Sequence, residues 1–161
     1  MRCAGRPGGH PMATWAQFAT AEPELAVYGW ELLREEQGYA FLATVSPGGA
    51  PRVHPVVPFV ADGTLLVSIA VNSPKARDLR AEPRYMLHAT VGDNDTEFAV
   101  RGCAREIFDD TGAEWLRAQQ ELNVVDIPLE TVLFALEIDR VDAAIWDEGP
   151  PHRQTWRAPN G

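Results

Sequence analysis

The chain has 161 residues, a length that suits one domain rather than several. Apolar residues make up 45% and charged residues 23%, which excludes wholesale disorder and supplies enough apolar side chain for a core without staples. The formal net charge is −9, which excludes a general nucleic-acid surface as a first reading but leaves room for a local basic pocket holding one phosphate.

Two cysteines, Cys3 and Cys103, form no CxxC pair and are too few for a four-ligand zinc site. Cys3 lies in a start rich in Gly, Pro and Arg. A disulfide between the two is therefore not expected, and the chain reads as a reduced, cytoplasmic protein. No apolar run approaches the roughly 18 residues of a membrane span. The start carries no apolar stretch like that of a signal peptide. Residues 1–12 read as a disordered tail and 13–161 as a single domain.

Thr14 caps a first helical turn that carries Trp15, Phe18 and Ala19. Glu22-Pro23-Glu24 restarts a helix, with Leu25, Tyr28, Leu32 and Leu33 on one face and Gly38 as its stop. From Tyr39 to Val45 the pattern becomes that of a strand. Ser46-Pro47-Gly48-Gly49 is a turn, and Arg52 to Val60 is a second strand returning as a hairpin. Pro51, Pro55 and Pro58 cannot donate to a ladder, which places that strand at an edge or beside a ligand. Ala61-Asp62-Gly63 turns the chain into a third strand, Thr64 to Val71.

Asn72-Ser73-Pro74 then caps a short helix, Lys75 to Ala81, ended by Glu82-Pro83. Strands Arg84 to Val91 and Thr96 to Ile107 flank the turn Gly92-Asp93-Asn94-Asp95, with Gly102 as a bulge. Thr111 to Glu121 is an amphipathic helix with Trp115 and Leu116 inward. Val132 to Ile138 and Val141 to Trp146 are two further strands, and the tail from Gly149 to Arg157 gains order only by docking. About six or seven short strands joined by tight turns predict a mainly β, antiparallel small barrel with peripheral helices.

The strongest chemical signal runs from Ser68 to Leu79. A strand ends, and a helix begins with free N–H groups and a positive dipole end. Ser73 adds a hydroxyl and Lys75 a mobile ammonium, which together suit one terminal phosphate. The alternative is a plain cap with a solvated lysine. A lysine at the positive end is mildly unfavourable for the helix itself, which favours the site. The second signal is Arg52-Val53-His54-Pro55-Val56-Val57-Pro58. Alternation puts Arg52, His54 and Val56 on one face, and the prolines leave backbone groups open to a flat polar heterocycle. The alternative there is an edge protected against aggregation. His10, His54, His88 and His152 are scattered, which argues against a metal site. There is no GxSxG elbow, P-loop or GxGxxG. Trp146, Trp156 and Arg157 suit a ring, a partner chain or the core.

These segments together resemble the pyridoxamine 5′-phosphate oxidase-like, FMN-binding split β-barrel family of flavin and deazaflavin oxidoreductases. The carrying pieces are Leu42-Ala43-Thr44-Val45, Gly49 to Val56, Ser73 to Leu79 with Glu82-Pro83-Arg84, and Glu97 to Ala104. The resemblance implies a six- to seven-stranded split barrel that dimerises, with FMN at the interface. His54, Pro55, Val56 and Val57 would run beside the ring and ribityl chain. Ser68 and Ile69 would lie near the ribityl–phosphate end, and Ser73 and Lys75 would hold the phosphate. Glu97 would reach the cofactor from the other subunit. Pro74 and His54 stand where relatives often carry basic residues, and His152-Arg153 does not reproduce the substrate-binding pattern of true pyridoxamine phosphate oxidases. F420 is the alternative cofactor, with Arg77, Arg80 and Arg84 available for its longer acidic tail. Haem is a further one. The expected activity is hydride transfer to or from a small molecule, with non-catalytic flavin or haem binding as the competing role.

Overall fold

The computed structural model describes residues 12–91, 95–122, 130–146 and 149–159. Among the described residues, four helices and eight strands follow in the order α1 (Trp15–Ala21), α2 (Pro23–Gly38), β1 (Ala40–Val45), β2 (Pro51–Val56), β3 (Pro58–Ala61), β4 (Thr64–Ala70), α3 (Pro74–Ala81), β5 (Arg84–Ala89), β6 (Glu97–Ile107), α4 (Asp110–Leu122), β7 (Thr131–Ile145) and β8 (His152–Arg157). The tail expected over residues 1–12 lies outside the described residues except for Met12. The expectation that Cys3 and Cys103 stay unbridged involves Cys3, also outside them. Cys103 itself is buried and is not a free thiol. Among the described residues no helix is long and apolar enough to cross a membrane.

All the strands join one antiparallel sheet in the order β2-β1-β5-β6-β7-β4-β3, with β8 added beside β7. The two ends of that order, β2 and β3, are separated in the chain by Val57 alone. A sheet whose ends are one residue apart must curl round on itself, which gives the split barrel. Ala61-Asp62-Gly63-Thr64 closes the β3–β4 hairpin with positive φ at Asp62 (46°) and Gly63 (72°). That Asp-Gly pair gives the tight turn its sequence predicts.

The eight strands differ from the expected six or seven through three changes, of which two add a strand and one removes one. Arg52 to Val60 is not one strand, because its first part pairs with β1 and its last part with β4. Val132 to Ile138 and Val141 to Trp146 are not two strands but one, β7, which runs through Asp139 and Arg140. The register shifts between Arg101 and Gly102, so Asp139 is the extra residue of a bulge in β7. The bulge leaves the Asp139 carbonyl free to accept from the Ala158 N–H at 3.0 Å. Finally, the tail is ordered by the sheet itself as β8.

The main core fills one side of this sheet and is covered by α1 and α2, while Phe59, Leu66, Leu133 and Ala135 form a smaller cluster under Trp115 and Leu116 of α4. Thr14 opens α1 with a capping box, its hydroxyl accepting from the Gln17 N–H while the Gln17 amide accepts from the Thr14 N–H. The apolar face of α1 presents Trp15 and Phe18. The Phe18 ring lies 5.1 Å from Trp156 of β8, and Trp15 lies 5.8 Å from Trp30 and 6.5 Å from Phe98. Each fully buried ring of this kind contributes about 1.5–3 kcal/mol. Trp156 is thus a core residue, whereas Trp146 stays exposed.

Gly102 faces the bulge so closely that a Cβ there would stand 1.9 Å from the Glu137 carbonyl oxygen. The obstacle is backbone, so it cannot swing away. Gly102→Ala is expected to destabilise the fold by about 2–3 kcal/mol or more through forced displacement of β6 from β7. The measurement is the urea midpoint of the variant against the parent protein.

Candidate functional site

The helix α3 begins where β4 ends, and Ser73 is its cap, accepting from the Ala76 N–H at 3.3 Å. Pro74 occupies the first helical position, where a missing N–H costs nothing. Ala76 and Leu79 bury one face of α3 against the barrel, and Asp78 is buried with them. Lys75 sits three residues before Asp78, so both project from the same side of the helix. The Lys75 ammonium donates to the Pro55 carbonyl at 3.2 Å, on the edge of β2 that has no ladder partner among the described residues.

Beneath it lies a compact polar cluster. Asp78 is 1% exposed and accepts from the Thr44 hydroxyl at 2.8 Å and from the Arg52 guanidinium at 3.4 Å. His54 Nε2 stands 3.3 Å from Thr44 Oγ1 and 3.9 Å from Asp78 Oδ2. The register explains the grouping, since Thr44 of β1 pairs with Arg52 and Leu42 with His54. Burial lowers the His54 pKa below its ordinary value, and the charges of Lys75 and Arg52 add to this while Asp78 opposes it. Burial also lowers the Lys75 pKa.

The structure therefore brings together His54, Pro55, Ser73 and Lys75 of the residues singled out in the sequence. Val56 and Ile69 point into the core, so only their backbone groups remain for a ligand. Val57 is partly exposed and Ser68 half-buried. Glu97 lies elsewhere, on β6, in a polar groove of about 260 Å³ shared with His88, Arg140, Arg153 and Thr155. Thr44 and Asp78 were missed as site residues. Asp78 left one trace, a carboxylate between Ala76 and Leu79 on a face that is otherwise apolar. Thr44 left none, because its role depends on strand register.

The three arginines considered for a longer acidic tail differ in availability. Arg80 is forked onto Glu106 at 2.8 and 2.6 Å and also donates to the Val71 carbonyl. Arg84 is forked onto Glu82 at 2.8 and 3.0 Å. Arg77 is exposed on α3. On the outer face of the sheet, Phe41, Val53 and Met86 are exposed on the adjacent strands β1, β2 and β5. Ala43 pairs with both Val53 and Met86, so these side chains form one continuous apolar patch.

The pyridoxamine 5′-phosphate oxidase family profile matches residues 30–143, and the chain belongs to that family. No curated protein matches the chain in sequence. Among solved structures it is similar to a pyridoxamine 5′-phosphate oxidase-related, FMN-binding protein from Nostoc punctiforme, with a TM-score of 0.64 and 17% identity over 83% of this chain and 89% of that one. An F420 reductase gives a TM-score of 0.52 at 24% identity over 64% of this chain and 87% of that one. A haem-binding protein from Mycobacterium smegmatis gives 0.55 at 17% identity over 73% of this chain, which spans about half (52%) of that protein. At these identities the likeness establishes the split-barrel fold.

Because the Ser73 oxygen accepts the cap hydrogen bond, Ser73→Ala is expected to cost about 1 kcal/mol of stability, read by urea denaturation.

Proposed function

We propose that the protein is a flavin-dependent oxidoreductase that binds FMN at a dimer interface and transfers hydride to or from a small molecule. The carrying observation is the grouping of Ser73, Lys75, Arg52 and His54 around the start of α3, beside the open edge of β2. That grouping suits one phosphate group. The Ser73 hydroxyl keeps its proton to donate, and Lys75 can exchange the Pro55 carbonyl for a stronger acceptor. A partly desolvated ammonium binds an anion more firmly than a solvated one. The Pro55 carbonyl and its neighbours on the edge of β2 offer backbone partners to a polar ring.

FMN supplies the hydride chemistry when bound, and the protein positions it. The pairing of Arg80 with Glu106 and of Arg84 with Glu82 favours a single-phosphate cofactor over F420, whose acidic tail needs free cations. Ser68 and the backbone at Ile69 lie on β4, the strand that leads into α3, and would contact the ribityl end. Glu97 would serve the site of the partner copy. The outer apolar patch supports a homodimer, since a patch of this kind on a soluble domain marks an interface. The proposed setting is the cytoplasm, where reduced nicotinamide is available to reduce the flavin.

The test is an absorption titration of the purified protein with FMN, F420 and haem, followed by addition of NADPH or NADH and an electron acceptor. A saturable FMN spectrum and turnover support the proposal. Preference for F420 overturns the cofactor, a Soret band moves the protein to haem handling, and bound flavin without turnover makes it a storage or sensing protein.

Lys75→Ala is expected to weaken FMN binding about tenfold or more with little change in melting temperature, the loss of one charge-assisted contact. The same titration run against pH carries a sign. A phosphate dianion beside His54 favours its charged form, so the His54 pKa is higher in the complex than in the free protein. The contribution of His54 to FMN affinity, read as the difference between the parent protein and His54→Gln, then grows as pH falls from neutrality through the range in which His54 gains its proton. Met86→Glu places a charge in the apolar patch and is expected to give a monomer in sedimentation velocity.

A further inference from the structure

Asp78 is the least expected member of the cluster. A carboxylate beside an anion pocket repels the anion, and its neighbours on the buried face of α3, Ala76 and Leu79, are apolar. Its geometry supplies a reason. The Thr44 hydroxyl has a single proton and donates it to Asp78 at 2.8 Å. Its oxygen then meets His54 Nε2, 3.3 Å away, as an acceptor. Nε2 therefore carries the hydrogen, and Nδ1 is the nitrogen that gains a proton when the ring becomes charged. On its other oxygen Asp78 takes the Arg52 guanidinium, whose side chain is 42% exposed and has no other anchor among the described residues.

We propose that Asp78 is the positioning residue of the phosphate pocket: it anchors Arg52 directly and His54 through Thr44, so that a phosphate meets a fixed guanidinium and a fixed imidazole, whose Nδ1 donates once it is protonated, rather than loose side chains. The proposal rests on the phosphate reading above. Orientation in advance removes the entropy of ordering two side chains on binding. The charged and titratable groups around His54 are Arg52 on its own strand and Lys75 and Asp78 on α3, with the Thr44 hydroxyl on β1.

The test separates position from charge. FMN and riboflavin, which differ by the phosphate, are titrated into the parent protein, Asp78→Asn and Thr44→Val. Removal of a negative charge alone would tighten FMN binding. Loss of positioning weakens it. The expected result for Asp78→Asn is FMN binding about tenfold weaker with riboflavin binding nearly unchanged. FMN binding equal to or tighter than in the parent protein overturns the proposal.

If Asp78→Asn loses both ligands alike or does not fold, Thr44→Val decides, because it keeps every charge. A fall of roughly threefold or more in its FMN-to-riboflavin preference supports the proposal, and an unchanged preference overturns it. Equal binding of FMN and riboflavin by the parent protein overturns the phosphate reading instead, and this proposal with it. Should the parent protein bind neither flavin, inorganic phosphate is added and the His54 ring followed by NMR. A phosphate-induced rise in its titration midpoint that Thr44→Val reduces supports the role of Asp78. No response in the parent protein, or an equal response in the variant, overturns it.

Discussion

Val57 alone joins two strands that sit at opposite ends of the sheet, and the molecule is organised by that constraint. The link is too short for the strands between to lie flat, so they wrap into a barrel closed by the chain rather than by a ladder. The cost is an open seam. Pro55 and Pro58, on either side of it, have no N–H to offer, so a ladder cannot simply zip it shut. At that seam Lys75 reaches from α3 to the Pro55 carbonyl. The same feature that keeps the barrel split leaves polar backbone at the place where the basic side chains collect.

The electrostatics of the seam are local. In a chain with a net charge of −9, Arg52 and Lys75 gather around one helix start, and the buried Asp78 stands between them and the core. The desolvated carboxylate is tolerable only because donors surround it, the Thr44 hydroxyl and the Arg52 guanidinium. Elsewhere several arginines are held by the fold's own carboxylates, as with Arg80 on Glu106 and Arg105 on Glu137. This division between committed and available cations limits how large an anion the seam suits.

Features set by neighbouring residues were legible in the sequence. Thr14 and Ser73 as caps and Asp62-Gly63 as a turn each rest on chemistry within a few positions, whereas the bulge expected at Gly102 lies opposite it, at Asp139 of β7. The family resemblance also rested on contiguous pieces. What escaped was set by register. Nothing near Thr44 says that it faces Asp78, thirty-four positions further on. Nothing near Asp139 says that β7 absorbs an extra residue and continues. The prolines marked an edge correctly, but that β2 and β3 have different partners follows only from closure of the whole sheet. Trp156 suited a ring, a partner or the core equally well until β8 placed it against Phe18.

That last contact bears on how the protein is made. Phe18 of α1 packs against Trp156 of β8, and β8 pairs with β7 only after it has been synthesised. The helix α1 therefore leaves a ribosome well before the strand that packs against it. Pairings between distant segments of this kind form slowly and leave apolar surface uncovered in the interval. On the growing chain the Phe18 ring stays without its Trp156 cover until β8 has been made and has paired with β7.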